Sequence, residues 1–260
     1  MSAHVLAGQT FEIARRSVLQ TLRQPAMVIP PILFPLILMG INVGGLHAAT
    51  LLPGFPTDSY LNFAIAFPFI QGSLFASINA GSSLARDVES GFLRRLALTP
   101  MQRSALLLGN LSGVMLVSFG SALIYLAVGF AAGLEVESGA AGVAVMVVLG
   151  LAIALGFAAL GALIGLRTGS GEAVNGVFPL FFVAVFLSSS SLPRDLIEQD
   201  WFRTIATWNP VSYLFEGLRS LVIFGWDGEA LAVAFGIAAL IAVLGVAGAS
   251  TALRTRLVRT

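Results

Sequence analysis

The chain has 260 residues, 57% hydrophobic and only 10% charged, with a mean hydropathy of +0.92. A soluble domain carries about 25% charged residues, so this composition excludes an ordinary soluble enzyme and points to the bilayer. All 14 basic residues are arginine and cysteine is absent, which excludes a P-loop lysine, Schiff-base chemistry, disulfides and thiolate metal sites; a net charge of +1 gives no reason to expect a nucleic-acid partner.

The first 26 residues are polar and charged, unlike a cleavable signal peptide. Within them, residues 9–24 read as an amphipathic helix. Phe11, Ala14, Val18 and Leu22 form one stripe, with Arg16, Gln20 and Arg23 on the other face. Such a helix suits the cytoplasmic membrane interface, and Pro25 stops it.

Six apolar runs follow, predicted as spans at 27–46, 61–83, 104–132, 139–166, 173–192 and 230–253. Pro30, Pro31 and Pro35 fall in the first turns of the first span, where missing donors cost least; Pro35 is placed to kink it. Glycines recur at four-residue spacing (Gly40 with Gly44, Gly109 with Gly113, Gly161 with Gly165) and are candidate helix contacts. Asn42, Asn79, Asn110 and Asn175 are the main polar residues in nearly charge-free spans, and each is expected to bond a neighbouring helix.

Charge is distributed by side. Eleven arginines and four acids lie on one side of the span pattern, three arginines and nine acids on the other, about +7 against about −6. Arginine in short loops disfavours translocation. The Arg-rich side is therefore expected in the cytoplasm, with both termini, in an inner or plasma membrane. No linker or composition shift divides the chain, so residues 1–260 are expected to form a single transmembrane domain.

Three connectors are more than loops. Residues 86–103 mix charged and apolar positions; Val88, Phe92 and Leu96 are spaced by four and are predicted to share a helix face. That face suits either a soluble partner or a lipid surface. Within residues 193–228, the stretch 211–226 is largely apolar but too short and too charged to span. They are predicted to form a re-entrant or interfacial helical hairpin, with Trp201, Trp208 and Trp226 near the headgroups. Glu216 and Arg219 are three apart and are expected to pair. The serines at 188–191 supply hydroxyls where the fifth span ends.

The first connector starts with charged Arg86, continues through Glu89-x-Gly91 into a leucine-rich stretch with Phe92, Leu93 and Leu96, and closes at Thr99-Pro100 with Arg103 after it. The second carries Asn209-Pro210, then Tyr213, Glu216 and Arg219. In this order, within six spans, they resemble the signatures of the permease subunits of type-2 ABC exporters, especially the drug-resistance, daunorubicin-exporter-like branch. The run at 188–191 departs from the Asn/Pro-containing pattern of that family.

The resemblance implies an all-α fold of six spans with an N-terminal interfacial helix. It implies a cytoplasmic coupling helix between spans 2 and 3, and paired extracellular helices before span 6. It implies two permease subunits, identical or different, around one pathway, with two ABC ATPase subunits below them. ATP and Mg would be bound by those partners; no cofactor is expected in this chain, which has no Gly-x-x-x-x-Gly-Lys sequence. The charge-poor, phenylalanine-rich spans favour an amphipathic cargo, a drug or a lipid, with polysaccharide or glycolipid export as the alternative. A secondary transporter without an ATPase partner is the alternative of another class; it usually needs a mid-span ionisable group, and the span centres here are nearly free of charge, while no His-x-x-x-His or paired mid-span carboxylates favour an intramembrane enzyme.

Overall fold

The structure, a computed structural model, describes residues 3–97 and 103–258, and every regular element among them is helical. Helix α1 (Ala3–Leu22) precedes α2 (Pro25–Gly45). A 3-10 turn (His47–Leu51) and an irregular stretch lead to α3 (Tyr60–Ala64) and α4 (Ala66–Glu89). The short α5 (Phe92–Ala97) comes before α6 (Arg103–Ala131), α7 (Gly139–Thr168) and α8 (Gly171–Phe186). A second 3-10 turn (Arg194–Leu196), α9 (Asp200–Trp208), α10 (Pro210–Ile223) and α11 (Gly228–Val258) complete the chain.

Among the described residues, five elements are long and apolar enough to cross a membrane: α2, the run Tyr60–Glu89, Ser104–Ala131, α7 and Gly228–Arg256. The predicted fifth span is shorter than expected. Helix α8 has 16 residues, about 24 Å at 1.5 Å per residue, and stops at Phe186, because the chain turns through the serines at 188–191. The second predicted span is longer than expected: α4 continues past position 83 to Glu89.

Helices α4 and α7 form the centre. The most apolar window of the Tyr60–Glu89 run is 83% buried, against 17% for α2 and for α11. That burial inside protein explains why the run tolerates Ser73, Ser77 and Asn79. The pair approaches closely because Gly161 and Gly165 carry no side chain: a Cβ there would overlap the carbonyl oxygens of Ser77 and Gly81. Gly109 and Gly113 serve the same purpose on α6, against Ile13 and Ser17 of α1. Gly40 and Gly44 have the same spacing, yet nothing lies within 4 Å of a Cβ at either.

Helix α1 buries Ile13, Ser17 and Thr21, not the predicted stripe. Phe11 stays exposed, and Ala14 and Val18 are half-buried. The close approach is made possible by Gly109 and Gly113 of α6, which face Ile13 and Ser17 of α1.

The prolines of α2 have identifiable partners. Pro31 and Pro35 lack the N–H that would bond the carbonyls of Met27 and Pro31. Asn79 Nδ2 donates to the Met27 carbonyl at 3.1 Å, and the Tyr125 hydroxyl donates to the Pro31 carbonyl. Asn110 also meets its expectation, donating to Ser83 Oγ at 3.2 Å. Asn42 and Asn175 do not: Asn175 is exposed, and neither side chain bonds another helix among the described residues.

Candidate coupling segment and paired-helix hairpin

The stretch predicted as one amphipathic helix is broken. Arg86, Val88 and Glu89 form the last turn of α4, Ser90 closes it, and Gly91 adopts φ +67° before Phe92 opens α5. A left-handed glycine at this point ends a helix and redirects the chain. Val88 and Phe92 therefore do not share a helix face by periodicity. Both are half-buried and pack inward with fully buried Leu93 against a core cluster that includes Ile13, Leu84 and Leu106. Glu89 and Arg95 are exposed. Thr99, Pro100 and the Leu96 side chain lie outside the described residues.

This elbow is tied to the N-terminal helix. Arg16 Nη2 lies 2.7 Å from Asp87 Oδ1, and its guanidinium sits 4.2 Å from the centre of the Phe92 ring. Arg86 donates to Gln24 Oε1 at 3.2 Å, reaching the α1–α2 junction. One aspartate and two arginines thus bind the end of α4 to both preceding helices. Asp87 carries no periodic signal in the sequence that would mark it out from its neighbours. At the C-terminal side, Arg256 donates to the carbonyls of Leu166 and Arg167, both at 2.9 Å, and caps α7.

On the other side, the hairpin of α9 and α10 is organised by Asn209. Its Oδ1 accepts from the Val211 N–H at 2.9 Å and caps α10, with Pro210 at the first helical position. Its Nδ2 donates to the carbonyls of Ala184 and Leu187, at 2.6 and 2.9 Å, which end α8. Helix α10 owes its apolar composition to protein, not lipid: Val211, Leu214, Phe215, Leu218, Leu221 and Val222 are all buried. Trp201, Trp208 and Trp226 are exposed.

The expected Glu216–Arg219 pair does not form. Glu216 pairs with Arg194, whose Nε lies 2.7 Å from Oε1, while Arg194 also covers the Tyr213 ring at 4.5 Å. Burial works against the Arg194 charge, but Glu216 and Tyr213 outweigh it and raise its pKa above the usual arginine value. Arg219 is only 4% exposed. It donates to the carbonyls of Ser189, Ser190 and Phe63, and lies 3.4 Å from the Phe63 ring centre. A rigid fork of donors suits three fixed carbonyls better than a single carboxylate. Tyr213, at the rim, donates to the Thr207 carbonyl at 2.9 Å.

Between these two ends runs a ladder of aromatic rings. Phe34, Phe75, Phe178, Phe182 and Phe186 neighbour one another with centroids 5.2 to 5.9 Å apart. Phe34 and Phe186 are exposed and the others half-buried, so α2, α4 and α8 share one open aromatic face. Among the described residues, no group of His, Asp and Glu is placed to hold a metal ion.

The profile of the ABC-2 type transporter family matches residues 8–223. A daunorubicin resistance ABC transporter permease protein, DrrB1, of Streptomyces coeruleorubidus is 27% identical over 233 residues, covering 85% of this chain and 78% of the relative. A putative transport permease, ycf38, of Cyanophora paradoxa is 24% identical over 215 residues, covering 82% of this chain and 73% of the relative. A probable doxorubicin resistance ABC transporter permease protein, DrrC, of Mycobacterium tuberculosis is 27% identical over 160 residues, covering 60% of this chain and 55% of the relative. With that match running from α1 through the end of α10, the chain is a multi-pass membrane protein that belongs to the ABC-2 type transporter family.

Proposed function

We propose that this chain is the permease subunit of an ATP-driven exporter, a single transmembrane unit over residues 1–260 that works with a second permease and two ABC ATPase subunits. The observation that carries the reading is the tie between Arg16, Asp87 and Phe92. It makes the α4–α5 elbow and α1 one mechanical piece attached to the most buried helix of the bundle. The ATPase docks below that elbow, over residues 86–100, with exposed Glu89 and Arg95 as its polar contacts. ATP and Mg are held by the partner, and its closure moves α4 and α1 together.

In this reading α8 is a sixth crossing. Its 16 residues fall short of a bilayer core about 30 Å thick, and the buried α10 hairpin fills the remaining depth on the outer side. The Arg-rich side faces the cytoplasm, with both termini, in the cell membrane. The aromatic ladder of α2, α4 and α8 lines the pathway, which suits an amphipathic, ring-bearing cargo. The drug-resistance names of two relatives agree with that class.

The test is co-expression with a cognate ATPase subunit and reconstitution in liposomes. ATP-dependent export of an anthracycline-type drug, with no hydrolysis by this chain alone, is the expected result. Hydrolysis by a preparation that mass spectrometry shows to contain this chain only would refute the division of labour.

A further inference from the structure

We propose that the elbow between α1 and α2 binds the phosphate of an anionic phospholipid headgroup, with Arg15 and Arg23 as the principal donors. The proposal rests on the reading of α1 as an interfacial helix and goes beyond it by assigning a site.

The elbow forms an open cleft of about 510 Å³ lined by Arg15, Arg16, Arg23, Gln20, Gln24 and Leu19. Three guanidinium groups line it; Asp87 pairs with Arg16 from outside the lining, and one further carboxylate lies in the lining itself. That carboxylate, Glu12, lies 3.9 Å from Arg15 with both side chains largely exposed, an arrangement that neutralises little charge. Arg23 has no ion-pair partner among the described residues. Arg16 turns two of its five N–H donors to Asp87 and keeps the rest. Gln24 gives its carbonyl oxygen to Arg86, which leaves its amide N–H free to donate.

The depth of the cleft selects a lipid over a soluble anion. Pro25, the first residue of a membrane-crossing helix, follows Gln24 directly, so the cleft sits where that helix enters the bilayer. Phe11 (65% exposed) and Leu19 (40% exposed) stand on either side of Arg15 at i−4 and i+4, on one face of α1. Apolar rings and chains beside guanidinium groups fit the boundary between acyl chains and phosphates. The helix cannot roll away from this orientation, because Ile13 and Ser17 are locked against Gly109 and Gly113. A bound headgroup would lie beside the Arg16–Asp87 and Arg86–Gln24 contacts, and so would hold the elbow that residues 86–97 share with α1.

The experiment titrates the purified full-length chain, in a neutral detergent, with dioleoylphosphatidylglycerol or dioleoylphosphatidylcholine, read by native mass spectrometry. The phosphatidylglycerol is expected to bind at a single site and the phosphatidylcholine at least about tenfold more weakly. Each arginine near an anionic lipid is worth about fivefold in affinity, so Arg15→Gln with Arg23→Gln should weaken binding by roughly 25-fold. The corresponding Lys pair should retain most of it, and Arg254→Gln, a lost charge elsewhere on the same side, should change little. Equal retention of the two lipids would overturn the site, as would an Arg254→Gln loss equal to that of the double variant, which would mark a bulk charge effect. Displacement of the lipid by excess inorganic phosphate would assign the cleft to a soluble anion instead. Binding in detergent needs neither an ATPase nor transport, so failure of the exporter reading would leave this result standing, and the reverse.

Discussion

Arg16 and Asp87 meet across 71 positions of sequence, with Nη2 2.7 Å from Oδ1 and Nη1 3.4 Å from Oδ2. The pair is two-pronged, which fixes orientation as well as distance. Asp87 is nearly buried, 9% exposed, while Arg16 is 41% exposed, so water screens the arginine and the pair adds little to global stability.

Asp87→Ala should therefore cost about 1 kcal/mol of stability or less, and yet reduce export per ATP hydrolysed severalfold. A double-mutant cycle with Arg16→Ala should return a coupling energy of about 0.5–1 kcal/mol. Phe92→Ala removes both the ring under Arg16 and apolar packing, and should cost about 2–3 kcal/mol locally with the same uncoupling. Proteoliposome transport measured against hydrolysis decides it: Asp87→Ala with an unchanged ratio would remove the elbow from the transmission path.

Arg219 predicts a different kind of defect. Its removal leaves three carbonyls, those of Phe63, Ser189 and Ser190, without their donors inside the protein. Arg219→Ala should cost about 3 kcal/mol or more. Arg219→Lys should recover only part of that, because one ammonium cannot serve three acceptors set for a planar fork. Glu216→Gln should be milder, since it breaks a pair with half-exposed Arg194. Thermal melts in detergent give the ranking, and a lysine variant as stable as the parent would contradict the fork geometry.

The three glycine pairs separate cleanly in the same assay. Gly161→Ala drives a methyl into the Ser77 backbone, which cannot swing aside as a side chain can. Overpacking of this kind costs about 1–3 kcal/mol. Gly40→Ala meets nothing within 4 Å and should be neutral or slightly stabilising in the isolated chain. Equal melts for the two variants would show that α4 and α7 are not packed this closely.

Sidedness can be read with single cysteines, since the chain has none of its own. Cysteines at Ser138 and Glu198 should mark the outside. Glu198 is exposed and should react with an impermeant maleimide in intact cells; Ser138, which bonds the Leu221 carbonyl at 2.7 Å, should react slowly there. A cysteine at exposed Arg167 should react only after permeabilisation. The opposite pattern would invert the topology.

What could be read from sequence follows from what each signal measures. Hydropathy sums over 20 residues, so it found the five long apolar helices but overran α8, which has only 16 residues, and missed where α4 ends: α4 runs to Glu89 because Arg86 and Asp87 are held by Gln24 and Arg16, residues far away in sequence. Spacing assumes an unbroken helix, so it joined Val88 to Phe92 across Gly91, whose φ of +67° breaks the period. Charge pairing at i, i+3 is a weak preference worth a few tenths of a kcal/mol. It lost to Arg194 for Glu216 and to three carbonyls for Arg219, partners that only the folded chain brings near. Four-residue glycine spacing states that close approach is possible without saying to what, which is why one pair of three faces open space.

The prolines of α2 have a consequence for how the protein is made. The chain is synthesised and inserted from its N-terminus, so α2 enters the bilayer before α4 and α6 exist. Its Met27 and Pro31 carbonyls then face an environment in which an unpaired polar group costs several kcal/mol. Their donors, Asn79 and Tyr125, arrive 52 and 94 residues later. Helix α2 is thus completed only when α4 and then α6 arrive, and a ribosome stalled before Tyr125 would leave the Pro31 carbonyl without its donor.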